Sequence, residues 1–142
     1  MQKKRLFMKE LLLPLLKKSQ KKEGCISEKA VKEISKKTGI PVSRVYGAAT
    51  FYAMLHTSKQ GRYVIEICNS PSCYLNGSLD MIKYLEKKLN IKSGQTTEDN
   101  RFSMHIGSCI GCCNMAPAMR INSKVYSKLT EKKIDDILKK CK

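Results

Sequence analysis

The strongest constraint on this chain is a pair of cysteine clusters set far apart in its sequence. One is Cys109-Ile-Gly-Cys-Cys113, followed by Asn114-Met-Ala-Pro117, and the other is Cys68-Asn-Ser-Pro-Ser-Cys73. Five of the seven cysteines lie in these two short stretches, so a fold that leaves them apart leaves five thiols without a task. Seven is an odd number for a complete set of disulfides. Clustered thiols in a chain with no recognisable secretory signal favour metal or redox chemistry over a disulfide scaffold.

Taken as a C-x4-C pair and a C-x3-C pair, Cys68, Cys73, Cys109 and Cys113 supply four thiolates, enough to close a metal site. Spacing alone admits three chemistries. A [2Fe–2S] cluster takes four cysteine thiolates. Structural zinc is also held by four, although these spacings lie at the wide end of its usual range. A thioredoxin-type dithiol needs C-x-x-C, and Cys109 to Cys112 has that spacing. Gly107 and Gly111 let the backbone approach closely, and Pro117 stiffens the loop exit. Cys73 falls near a helix start, where free N–H groups favour anionic sulfur and would raise the potential of a cluster. Cys25 and Cys141 read as apolar filler, and Met104, Met115 and Met119 as packing.

The elements around these loops follow from periodicity. Residues 5–16 carry Leu6, Phe7, Leu12, Leu15 and Leu16 between charges, which predicts a helix that Pro14 bends or begins. Lys17 to Gly24 is polar and reads as a frayed end or loop. Ser27 caps a second helix to about Thr38, with Ala30, Val31 and Ile34 on one face and Gly39 as its stop. A third helix opens at Pro41 or Ser43 and runs to about Leu55, apolar on nearly every side, so cover on more than one face is expected. His56 at its end would favour the helix dipole. Beyond a polar boundary at Thr57–Gly61 the period changes to two. Tyr63, Ile65 and Ile67 mark a strand ending on Cys68, Leu79 to Leu89 a helix, and Phe102, Met104 and Ile106 a second strand with His105 on its other face. Thr97 and Asp99 shape the loop entering that strand. Met119 and Ile121 make a short strand that turns at Asn122-Ser123 into Val125-Tyr126, and Thr130 caps a last helix. The order β-α-β-β-β-α, with parallel strands joined by the first crossover, predicts an α/β fold: a thioredoxin-like αβ sandwich over residues 62–142, preceded by a small N-terminal helical bundle over residues 1–57. Each cysteine pair then sits just beyond one of two parallel neighbours, so both loops leave the sheet at one edge.

Charge and hydropathy exclude some functions. No run approaches the roughly 20 apolar residues that span a bilayer. Leu11 to Leu16 is too short and too closely followed by lysines for a signal peptide, and a cytoplasmic protein with no direct membrane insertion is expected. The net charge of +16, half of it in the first 40 residues, is mostly lysine spread over solvated faces. It also suits an acidic protein partner. Ser35-x3-Gly39-x5-Val45 has helix-turn-helix spacing, which keeps a basic DNA-binding protein as an alternative beside structural zinc. A recognition helix must show polar groups to base edges. This one would show Tyr46, Gly47, Ala48, Phe51 and Tyr52, so no nucleic-acid partner is expected.

Several stretches then fall into a known order: Gly39-Ile-Pro41, Val45-Tyr46, Ala49-Thr-Phe-Tyr52, Ile67-Cys68 with Cys73, Gly77-Ser78, Gly94-Gln-Thr-Thr97 with Asp99, and Cys109-Ile-Gly-Cys-Cys113 with Ala116-Pro117. From about residue 25 onward the chain resembles the thioredoxin-like [2Fe–2S] subunit of NADH-dependent oxidoreductases. That family includes subunits of respiratory NADH–quinone oxidoreductase, NAD-linked [FeFe]-hydrogenases and formate dehydrogenases. The resemblance implies one [2Fe–2S] cluster on Cys68, Cys73, Cys109 and Cys113, and one-electron transfer inside a flavin-dependent complex. It also implies FMN and NAD on a larger flavoprotein partner subunit. The chain is then an enzyme only as a subunit, with no NADH or flavin site of its own, consistent with its lack of a glycine-rich dinucleotide fingerprint. The N-terminal helical part is the expected docking surface for the partner. Three positions depart from the family pattern: Cys112 replaces a small residue that is not a ligand, Gln95 a Glu, and Asn100 a Gly.

Overall fold

A computed structural model describes residues 12–141. The chain divides into two compact units, Met1–Lys59 and Gln60–Lys142.

The first unit is helical. Helix α1 (Leu12–Glu23) includes Lys17 to Glu23, expected as a frayed end or loop. Lys, Gln and Glu are good helix formers, and the helix runs on until Gly24, at φ 76°, turns the chain. Pro14 lies in the first turn, where a missing N–H costs little. Leu6 and Phe7 lie outside the described residues. Helix α2 (Glu28–Thr38) has the expected ends: the Ala30 N–H donates to Ser27 Oγ at 3.2 Å, and Gly39 closes it at φ 68°. Helix α3 (Val42–Phe51) stops four residues before the expected Leu55, because Tyr52 already has extended backbone. Nor is α3 covered on more than one face. Val45 and Ala49 join Leu16, Ile26, Val31 and Ile34 in this unit's core, while Val42, Tyr46 and Phe51 stand exposed. His56 therefore lies beyond the helix. Its backbone N–H donates to Gln20 Oε1 at 2.7 Å and its carbonyl accepts from the Ile26 N–H at 2.8 Å, tying this loop to α1 and to the approach to α2.

The second unit has the predicted order with one added short helix: β1 (Tyr63–Cys68), α4 (Pro71–Leu75), α5 (Ser78–Leu89), β2 (Phe102–Gly107), β3 (Met119–Ile121), β4 (Lys124–Tyr126) and α6 (Glu131–Lys140). The sheet order is β2-β1-β3-β4. Strands β1 and β2 are parallel, from Tyr63 opposite Phe102 to Cys68 opposite Gly107, and β3 is antiparallel to both its neighbours. Ile65, Ile67, Met104, Met119 and Ile121 pack in one cluster with Ile82 and Leu85 of α5 and Ile134, Ile137 and Leu138 of α6. The result is a two-layer αβ sandwich. Ile106, expected with Phe102 and Met104, is exposed instead, at the far end of an edge strand.

On the other face, His105, Glu66 and Arg120 lie side by side across β2, β1 and β3. Arg120 pairs with Glu66, and His105 Nε2 meets Gln60 Oε1 at 2.7 Å. Burial pulls the His105 pKa below its ordinary value, against the nearby Glu66 charge. Thr97 and Asp99 shape the entry to β2 as expected: the Arg101 N–H donates to Asp99, and the Phe102 N–H donates to Thr97 Oγ1. Asn100, at φ 53°, explains one departure from the family pattern, since asparagine tolerates the left-handed region that glycine usually fills.

Candidate metal centre

The parallel pairing of β1 with β2 decides where the cysteines meet. Cys68 ends β1 opposite Gly107, the last residue of β2, so the two loops leave from the same end of adjacent strands. The first loop turns through Ser70 into α4, which places Cys73 in the first turn of that helix. The second loop runs through Gly111, at φ 84°, into a 3-10 turn at Cys113–Met115, and then through a cis Ala116–Pro117 bond to β3. Two bonds fix the loops together: Ser72 Oγ donates to the Cys113 carbonyl at 3.0 Å, and the Cys68 N–H to the Ala118 carbonyl at 3.0 Å.

The four expected cysteines form two unlike pairs. Cys68 and Cys73 are buried and pack with Ala118, flanked by Ile110, Cys112 and Ala116. Cys109 and Cys113 are exposed, with their sulfurs 3.4 Å apart. That approaches the edge of a tetrahedral ligand set, about 3.8 Å for a metal–sulfur bond of ~2.3 Å. Among the described residues no three Cys, His, Asp or Glu side chains are grouped for a single ion.

Hydrogen-bond donors around the sulfurs favour the anion at Cys68, while burial and crowding of the thiols oppose it at Cys73 and Cys113. Burial pushes the Cys68 thiol up. The Ser70 N–H, the Cys73 thiol, the Ser70 hydroxyl and the Ile110 N–H together outweigh it, so Cys68 lies below its ordinary value. Cys73 is pushed up, first by burial and then by donating to Cys68, while the Ala118 N–H opposes the shift. Cys113 is raised chiefly by its bond to Cys109, then by the charges of Cys109 and, more weakly, of Cys68 and Cys112. The Gly111 N–H reaches Cys109 Sγ at 3.4 Å. N–H groups from both loops thus point at sulfur, as a cluster requires for its charge. Sequence reasoning did not find Ser70, Ser72, Ile110 or Ala118. Three of these act through backbone groups, which no side-chain motif announces, whereas the Ser70-Pro71 step was a readable helix start.

The family model of the thioredoxin-like [2Fe–2S] ferredoxins matches residues 1–142. The chain belongs to this family. Its curated relatives include an NADH-quinone oxidoreductase subunit of Rickettsia felis, 38% identical over 89% of this chain and 77% of that protein. The corresponding NADH-quinone oxidoreductase subunit of Escherichia coli K12 is 41% identical over 89% of this chain and 76% of that protein. Among solved structures, an NAD+-reducing [NiFe]-hydrogenase in its H2-reduced state superposes with a TM-score of 0.76 at 25% identity. This ferredoxin-family chain is 89% covered by that match but spans only 22% of the hydrogenase chain.

Proposed function

We propose that this chain is the electron-transfer subunit of a flavin-dependent NADH oxidoreductase complex, of the NADH–quinone oxidoreductase or NAD-linked hydrogenase type. Cys68, Cys73, Cys109 and Cys113 would hold one [2Fe–2S] cluster, which supplies a one-electron carrier. The observation that carries this reading is the junction of two cysteine loops at the ends of adjacent parallel strands, which gives two thiol pairs facing convergent N–H donors. Two pairs match a binuclear cluster, in which each iron takes two protein thiolates.

The chain's own contribution is to orient and shield. Ser70, Ile110, Gly111 and Ala118 direct N–H groups at sulfur. Ile110 and Ala116 pack against the buried pair and limit its contact with water, while the exposed pair faces outward. NADH and FMN would bind a larger flavoprotein subunit. The bare apolar face of α3, with its lysine-rich neighbours α1 and α2, is the docking surface we assign to that partner. A cytoplasmic location belongs to the same proposal, since it keeps unpaired thiols reduced.

The test is an EPR spectrum of anaerobically purified protein after dithionite, with iron and acid-labile sulfide counted per chain. Two of each with a paramagnetic reduced state is the expected result. A colourless protein carrying zinc, or no metal, overturns the proposal.

A further inference from the structure

The two loops carry five cysteines for four ligand positions, and the fifth is not set apart from the rest. Cys112 is half-buried and packs against the group formed by Cys68, Cys73 and Ala118. Cys112 therefore lies against the buried part of the same cysteine cluster.

Spacing gives it a second qualification. Cys109 belongs to two overlapping chelates: C-x3-C with Cys113, and C-x2-C with Cys112. Both lie within the range that protein metal sites use. The hinge between them is Gly111, at φ 84° with open space where a Cβ would sit. No side chain at Gly111 fixes the backbone between the two candidate ligands. The 3-10 turn that begins at Cys113 carries little regular structure to resist a change of ligand, since it spans only Cys113–Met115.

We infer that Cys112 is a reserve ligand, held beside the cluster so that the second loop can close on the metal through either of two adjacent thiolates. This rests on the [2Fe–2S] reading above and adds a property to it: the outer ligand pair tolerates loss of one member, and the inner pair does not. Around Cys68 and Cys73 the described cysteines offer no such neighbour in the same loop. Cys109 has no alternative either, because both chelates need it.

The test uses the full chain, purified anaerobically, with alanine as the replacement because it offers no ligand atom. Wild type and the variants C112A, C113A, C109A and the double C112A/C113A are compared by iron and sulfide per chain, visible absorption and EPR line shape. Surviving free thiols are alkylated with iodoacetamide and mapped by mass spectrometry. C112A should match wild type. C113A should keep more than half of the iron with a shifted spectrum, whereas C109A and the double variant should each retain at least ten-fold less iron than C113A does. In native holoprotein Cys112 should be alkylated in wild type and protected in C113A. If C113A loses its iron as completely as C109A, or if Cys112 stays open to alkylation in an iron-bearing C113A, the inference is wrong while the cluster reading stands. Wild type without iron would overturn both. Far-UV circular dichroism of C113A with the cluster removed from both proteins separates lost ligation from lost fold: an unfolded C113A counts against the inference, because Gly111 and Cys112 were then not free to adapt.

Discussion

The helical unit and the sheet unit use apolar residues in opposite ways. In the sheet unit they lie mainly in one cluster between the strands and two helices, and several exposed ones, such as Tyr74, Leu75 and Met115, flank the cysteine loops. In the helical unit the core is smaller, and α3 leaves Tyr46 51% and Phe51 80% exposed, with Met54 beyond it at 51%. One unit brings the two cysteine loops together at the end of adjacent strands. The other commits large side chains to a surface that its own packing does not use, which a folded chain sustains when something else covers it.

The sharpest way to break that contrast is to remove residues 1–55. Iron content should stay near that of the whole chain, while co-purification with the proposed flavoprotein partner should fall to background. Retention of the complex would refute the docking role. Next in size, L85A in the sheet core should cost about 2–5 kcal/mol, and F51A should shift stability by only about 0.5 kcal/mol while weakening association with the flavoprotein. Urea unfolding followed by circular dichroism checks the first pair of numbers; a large loss in F51A would mean that α3 is an internal support. Smaller again, S27A and T130A each remove one helix cap and should each cost about 1 kcal/mol, since Ala30 and Lys133 donate to these side chains at 3.2 and 3.3 Å. Caps are local, so the two units should respond alike.

The smallest expected effect is a pH dependence in the sheet unit. The folded-state pKa of His105 is depressed by burial, so the unfolded chain takes up the proton first as pH falls. Stability from this group is intact above about pH 6.5 and declines as pH drops from there through the folded value. H105Q should flatten that decline in melting temperature between pH 7 and 5, and an unchanged slope would assign it to other groups.

Much of this was legible beforehand, for identifiable reasons. Period-two alternation and a terminal cysteine located β1 to the residue. Ser27, Gly39 and Thr130 marked helix ends because each must answer an unpaired backbone group there. Parallel pairing followed from chain order, and with it the meeting of the loops. Other features were hidden. Lys17–Glu23 looked like a loop because polarity says nothing against a helix with one buried anchor at Leu16. The apolar sequence of α3 did not reveal whether its cover lay inside the chain. The donors from Ser70, Ile110, Gly111 and Ala118 are backbone groups whose aim depends on how each loop turns.

The passage into the sheet runs past Gly61, where an added Cβ would come within 2.8 Å of the Phe102 carbonyl carbon. Its N–H donates to Ser103 Oγ at 2.7 Å, and Arg62 and Tyr63 continue alongside with donations to Asn100 and Arg101. The start of the sheet unit is thus a strap laid against the edge strand with no clearance for a side chain at Gly61. A severed version of this protein should keep Gln60 and Gly61, because cutting after them would loosen the edge strand that feeds the second cysteine loop.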